Sequence, residues 1–140
     1  MTIDELLASY EIFAMTEVEK GERFERLMRN FLLTYPAWRG KISEAWLWKD
    51  FPFRHDLGTV DLGIDIVAKT VDGEFWAAQC KFYADTTVIT KKAVDSFVSN
   101  SARIFGGNKK FSRRFWISTS DNFTDNAREM CKNQSPAVEI

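Results

Sequence analysis

Asp65 is followed fourteen residues later by Gln79 and two positions further on by Lys81. A carboxylate, an amide oxygen and an ammonium group are a set suited to hydrolysing a phosphodiester. Two oxygen ligands can hold a hard divalent cation, while the ammonium orients or activates a water and offsets charge on the phosphorane. The set works only if the chain brings it together, and the local pattern does so. Two apolar runs, 61–69 and 75–83, are joined through Asp72-Gly73 and read as a β-hairpin. Side chains alternate along a strand, so Ala77, Gln79 and Lys81 share one face and Trp76, Ala78, Cys80 and Phe82 the other. The second face is wholly apolar and belongs in a core. Gln79 and Lys81 are left side by side, next to a partner strand that carries Asp65. A Gln/Lys pair alone would suit many solvated strands, so the pattern needs support from a separate element.

That element is a helix expected over about 18–35. Its apolar positions Phe24, Leu27, Met28, Phe31 and Leu32 recur at helical spacing, and Pro36 stops it. Glu22 and Arg26 point away from this stripe, whereas Glu25 lies at its margin, where a carboxylate can reach across to the sheet. The plain alternative for Glu25 is a flanking salt-bridge residue.

The remaining pattern supplies the scaffold. Residues 1–17 read as an N-terminal arm or short helix. Ala45–Trp48 is strand-like, 53–60 reads as a loop, and Thr90 caps a helix that should run to Gly106-Gly107 with Ile104 among its apolar positions. A strand at Arg114–Thr119, a helix at about Asp121–Asn133 and a strand from Ala137 to Ile140 follow. The order α-β-β-β-α-β-α-β predicts an α/β fold with a mixed β-sheet flanked by helices, because a strand–helix–strand unit favours a parallel crossover.

A 140-residue chain that is 45% hydrophobic, with twelve Phe and five Trp, is the size of one domain with one substantial core. No apolar run is long enough for a membrane helix, and the acidic N-terminus is unlike a secretory signal, so a cytoplasmic location is expected. Cys80 and Cys131 fit neither a zinc spacing nor a disulfide framework. The formal charge of −1 conceals a basic stretch containing Arg103, Lys109, Lys110, Arg113 and Arg114, with Lys91 and Lys92 upstream. Together these seven are the candidate contacts to a DNA backbone, with a solvated basic surface as the alternative. His55, the one histidine, sits beside Asp56 in the 53–60 loop and is a weaker candidate for a general base. Asp61 is a candidate supporting residue near Asp65.

Gly21-x-x-Phe24-Glu25 on the first helix, Asp61-x-Gly63-Ile64-Asp65 and Gln79-x-Lys81 together resemble the Mrr-like branch of the PD-(D/E)xK nuclease superfamily. Trp46-Leu47-Trp48, Gly63–Thr70 and Gln79–Tyr83 are similar, more narrowly, to the N-terminal nuclease domain of type ISP restriction-modification enzymes and large restriction helicases. The resemblance runs from about Gly21 to Ile140. It implies a restriction-endonuclease-like fold over 18–140, excised from a longer multidomain chain. It also implies that Asp65 and Gln79 bind the metal with the Cys80 main-chain carbonyl, that Lys81 contacts the scissile phosphate or the attacking water, and that Glu25 assists. Gln79 departs from the Glu that is common at its position and would weaken metal binding in the absence of DNA. The implied cofactor is Mg²⁺, with Mn²⁺ as a substitute. The implied partners are double-stranded DNA and, within the longer chain, translocase, methyltransferase and target-recognition domains, with ATP used only through those. The expected activity is therefore endonucleolytic cleavage of DNA. A nuclease-like module that binds or docks without cutting, and a junction-specific resolvase, are the alternatives.

Overall fold

The computed structural model describes residues 17–57, 63–84 and 86–140; the expected arm, apart from Glu17, and Asp61 lie outside them. Helix α1 (Glu17–Thr34) is followed by strand β1 (Ile42–Leu47), a 3-10 turn (Trp48–Asp50) and a single helical turn α2 (Arg54–Leu57). Strands β2 (Ile66–Thr70) and β3 (Phe75–Lys81), helix α3 (Lys91–Asn100), strand β4 (Phe111–Ser118), helix α4 (Asp125–Lys132) and strand β5 (Val138–Glu139) complete it. The five strands lie in sequence order, antiparallel from β1 to β3 and parallel from β3 to β5. The expected mixed sheet is present, and the chain enters its parallel half through the α3 crossover.

Two apolar layers sandwich this sheet. On one face, Phe24, Met28 and Leu32 of α1 pack against Ile66, Ala68, Trp76, Ala78 and Cys80. On the other, Val94 and Phe97 of α3 and Ala127 and Cys131 of α4 cover Val67, Ala77 and Trp116. Each such large apolar side chain contributes about 1.5–3 kcal/mol when it leaves water. The hairpin turn at Asp72-Gly73 forms as expected. Gly73 has φ +84, and its N–H donates to the Thr70 carbonyl at 3.0 Å.

Several boundaries differ from the sequence expectation, each because an aromatic ring or a backbone pairing takes precedence. The Thr90 cap forms, its hydroxyl accepting from Ala93 N, but α3 ends at Asn100 rather than near Gly106. Ile104 is 58% exposed, and Phe105 enters the core instead, against Phe51, Phe75 and Phe111. β4 starts at Phe111 for the same reason, three residues before the expected Arg114. α4 starts after Thr124, because Ile89 exchanges backbone bonds with Asn122 and Thr124 and holds the preceding segment extended. The 53–60 segment contains the α2 turn. Its C-terminal end is tied to the loop before β4 by Arg103 Nη1 donating to the Leu57 carbonyl at 2.8 Å and Gly106 N donating to Asp56 at 2.7 Å. No helix among the described residues is long and apolar enough to cross a membrane.

Candidate active site

The site lies where β2 and β3 part. The ladder between them runs from Lys69↔Phe75 to Ile66↔Ala78. Beyond it, Asp65 N donates to the Ala78 carbonyl at 2.9 Å, and the Asp65 carbonyl accepts from Trp48 N at 2.8 Å. The next donor on β3, Cys80 N, is taken by the Asp65 carboxylate itself, Oδ2 at 2.9 Å. A side chain thus replaces a ladder bond, and the Asp65 carboxylate is pinned beside the β3 segment that carries Gln79 and Lys81.

Gly63 makes this placement possible. Its φ is +74, and a Cβ there would sit 3.3 Å from both Phe97 N and Ser96 Oγ of α3. Positive φ and close packing against a helix backbone both favour glycine. Ile64 is buried in the α3-side core and locks the segment that leads into Asp65.

Gln79 and Lys81 project to the α3 side as alternation requires, into a cavity of about 160 Å³ lined also by Gly63, Ser96 and Trp116. Gln79 is only 4% exposed, and its Oε1 has no hydrogen-bond partner. A buried unsatisfied acceptor costs about 1–3 kcal/mol, so this oxygen is a notable expense for the fold. On the opposite side of the 63–65 segment, Asp65 and Glu25 line a second cavity of about 280 Å³ with Glu22, Arg26, Trp48 and Lys49. Cys80 is buried in the α1-side core. Its thiol pKa is pushed well above the ordinary range by burial, then by the charge of Asp65 and then by that of Glu25. The charges of Asp65 and Glu25 thus both reach the Cys80 thiol.

The Cys80 carbonyl faces the same gap. In an extended strand a residue's N–H and C=O point to one side, and the neighbouring Lys81 carbonyl points the other way, accepting from Thr119 N at 3.2 Å. Among the described residues, no three His, Cys, Asp or Glu side chains form a metal-holding group. The oxygens flanking the fork are the carboxylates of Asp65, Glu25 and Glu22 in the larger cavity and the orphaned amide of Gln79 in the smaller, with the Cys80 carbonyl on the strand edge. Hard oxygen donors of this kind suit a divalent cation, and the unsatisfied Oε1 is an acceptor that such an ion could satisfy.

Most of the basic residues expected on DNA have partners within the fold. Arg113 and Arg114 are adjacent in β4 and so point to opposite faces of the sheet. Arg114 is a correction: it is 1% exposed, and its guanidinium donates to the Val98 carbonyl at 2.9 Å, to Ser101 Oγ at 3.1 Å and to the Pro136 carbonyl at 2.5 Å. It fastens α3 and the approach to β5 onto β4 and presents no charge to a ligand. Arg113 makes two bonds to Glu139, at 3.0 and 2.7 Å, and lies over the Trp76 and Phe115 rings. Lys91 pairs with Asp95 at 3.1 Å, Arg103 holds the Leu57 carbonyl, and Lys109 lies over the Phe53 ring. Lys92 and Lys110 are exposed. His55 is exposed on α2 and lines neither cavity.

Residues that the sequence pattern passed over do line the larger cavity. Glu22 and Arg26 face away from the apolar stripe as expected, yet the cavity opens along that flank of α1. Lys49 follows the strand that pairs with β2. That adjacency was the available signal for it.

The restriction endonuclease family Mrr_cat_2 matches residues 33–140, a span that includes Asp65, Gln79 and Lys81. The chain belongs to this family. As a restriction endonuclease domain, it is also similar in structure to an ATP-dependent type ISP restriction-modification enzyme, LlaBIII, solved bound to DNA. The TM-score is 0.73 at 26% identity. That likeness covers the whole of this chain, α1 and Glu25 included, and 8% of the other. No curated protein sequence matches. The Mrr-like nuclease fold implied by the sequence is thereby shown.

Proposed function

We propose that this restriction endonuclease domain cleaves DNA phosphodiester bonds with a divalent cation, Mg²⁺ being the expected ion and Mn²⁺ a substitute. The observation that carries this reading is the buried, unpartnered Gln79 Oε1 beside Lys81, across a fork from a carboxylate pinned by Cys80 N. Asp65, Gln79 Oε1 and the Cys80 carbonyl would hold the cation, with Glu25 adding charge from α1. The bound ion would supply Lewis-acid polarisation of the phosphate and lower the pKa of a water. Lys81 is poised to orient that water and to offset the negative charge that grows on the phosphoryl oxygens. The apolar walls formed by Phe97, Trp116 and Ile64 keep these groups at low dielectric, where each charge counts for more.

The domain is read as the nuclease module of a longer translocating restriction-modification enzyme, with translocase, methyltransferase and target-recognition domains and ATP use outside these residues. The likeness over 8% of a DNA-bound, ATP-dependent chain supports that reading. A second reading, a module that holds DNA without cutting it, is favoured by the division of these residues between two cavities, Asp65 and Glu25 in one and Gln79 and Lys81 in the other.

Supercoiled DNA incubated with Mg²⁺ separates the two. Wild type should nick it, and Asp65→Ala and Lys81→Ala should each lose at least about a hundredfold in rate, the usual scale for removing one preorganised electrostatic group. Equal cleavage by all three would remove the assignment, and binding without cleavage by wild type would favour the second reading.

A further inference from the structure

We infer that Arg26 and Lys49 grip the DNA backbone across the mouth of the larger cavity, taking the part that the sequence assigned to the 103–114 stretch. This rests on the nuclease reading and names the surface by which that site engages its substrate.

The cations of this molecule differ in whether the fold commits them. Glu22 precedes Arg26 by four residues on α1, the arrangement that most readily forms an ion pair along a helix. Yet among the described residues neither makes an ion pair or a side-chain hydrogen bond, and both are exposed. The Lys49 ammonium is likewise exposed and unpaired, its residue entering the network only through a carbonyl that accepts from Arg54. Arg103, Lys109, Arg113 and Arg114 are by contrast held by carbonyls, aromatic rings or Glu139.

Position adds to availability. Arg26 comes from α1 and Lys49 from the turn after β1, and both line the cavity that contains Asp65 and Glu25. Carboxylates outnumber cations there three to two, so the cavity repels a polyanion unless a divalent ion is present. With such an ion the sign reverses. A backbone laid across the mouth then meets the two unpaired cations on α1 and on the turn after β1. Phosphate contacts of this kind set register and carry no sequence information, in keeping with a cavity that presents no base-reading element.

The test is fluorescence anisotropy of a labelled duplex in Ca²⁺, which permits binding while suppressing cleavage, over a series of salt concentrations. Arg26→Gln and Lys49→Gln should each weaken binding about three- to tenfold and lower the salt slope by about one phosphate contact. Lys110→Gln, exposed within the basic stretch, should change neither by more than about twofold. Thermal melting should be unaltered in all three, since each replaced side chain is exposed. Wild-type affinity and slope in both Arg26→Gln and Lys49→Gln, or a larger loss in Lys110→Gln, would overturn the inference while leaving the nuclease reading standing. No binding and no Mg²⁺-dependent nicking by wild type would overturn both.

Discussion

Two basic regions of this molecule have opposite fates. The stretch from Arg103 to Arg114 is dense in charge, and most of that charge is engaged within the fold. Its arginines close the fold, one of them buried against carbonyls of Val98 and Pro136. The cations around the β2–β3 fork, Lys81, Arg26 and Lys49, are far apart in sequence, yet all three line the cavities that flank the Gly63–Asp65 segment. Density of charge along a chain therefore measures little by itself. A charge whose bonds are made within the fold serves the fold, and a charge left without a partner beside a cavity is available to a ligand.

That contrast can be broken at defined points. The largest stability effect is expected for Arg114→Ala, which strands the Val98 and Pro136 carbonyls and opens a void. A loss of about 3 kcal/mol in unfolding free energy is predicted from urea titration, with DNA binding per folded molecule unchanged. A loss of binding without loss of stability would return Arg114 to the DNA surface.

Gln79→Glu acts at the other region and should cost about 1–3 kcal/mol of stability in EDTA, because it buries a carboxylate near Asp65 with no cation to offset it. Added Mg²⁺ should restore that loss and bind more tightly than in wild type, read by thermal melting across a metal titration. Stability that is indifferent to metal would place the ion elsewhere. Smallest is Arg113→Gln, whose partner Glu139 is exposed, so that the ion pair adds no more than about 1 kcal/mol. An effect as large as that of Arg114→Ala would erase the distinction between the two arginines.

Much of this was legible in the residues. The period-two pattern of β3 correctly divided Trp76, Ala78 and Cys80 from Ala77, Gln79 and Lys81, since a strand buried on one apolar face has little freedom of register. The α1 stripe and the Thr90 cap were equally local. What the sequence could not show was long-range competition. Phe105 displaces Ile104 from the core through contacts with rings at 51, 75 and 111, and Arg114 finds carbonyls at Val98 and Pro136. Asp65 was recognisable as a ligand type, but its bond to Cys80 N depends on where the β2–β3 ladder ends. Arg26 and Lys49 were readable only once β1 and α1 had been set beside β2.

The proposed reading joins Asp65, Gln79 and the Cys80 carbonyl in one divalent-cation site at the strand fork. The anomalous signal of Mn²⁺ in crystals grown with a DNA duplex tests it most directly. The account predicts a peak within about 2–2.5 Å of Gln79 Oε1 and of an Asp65 carboxylate oxygen, lost in Asp65→Ala. A saturating soak that leaves the fork without a peak, or places the ion away from Gln79, would contradict it.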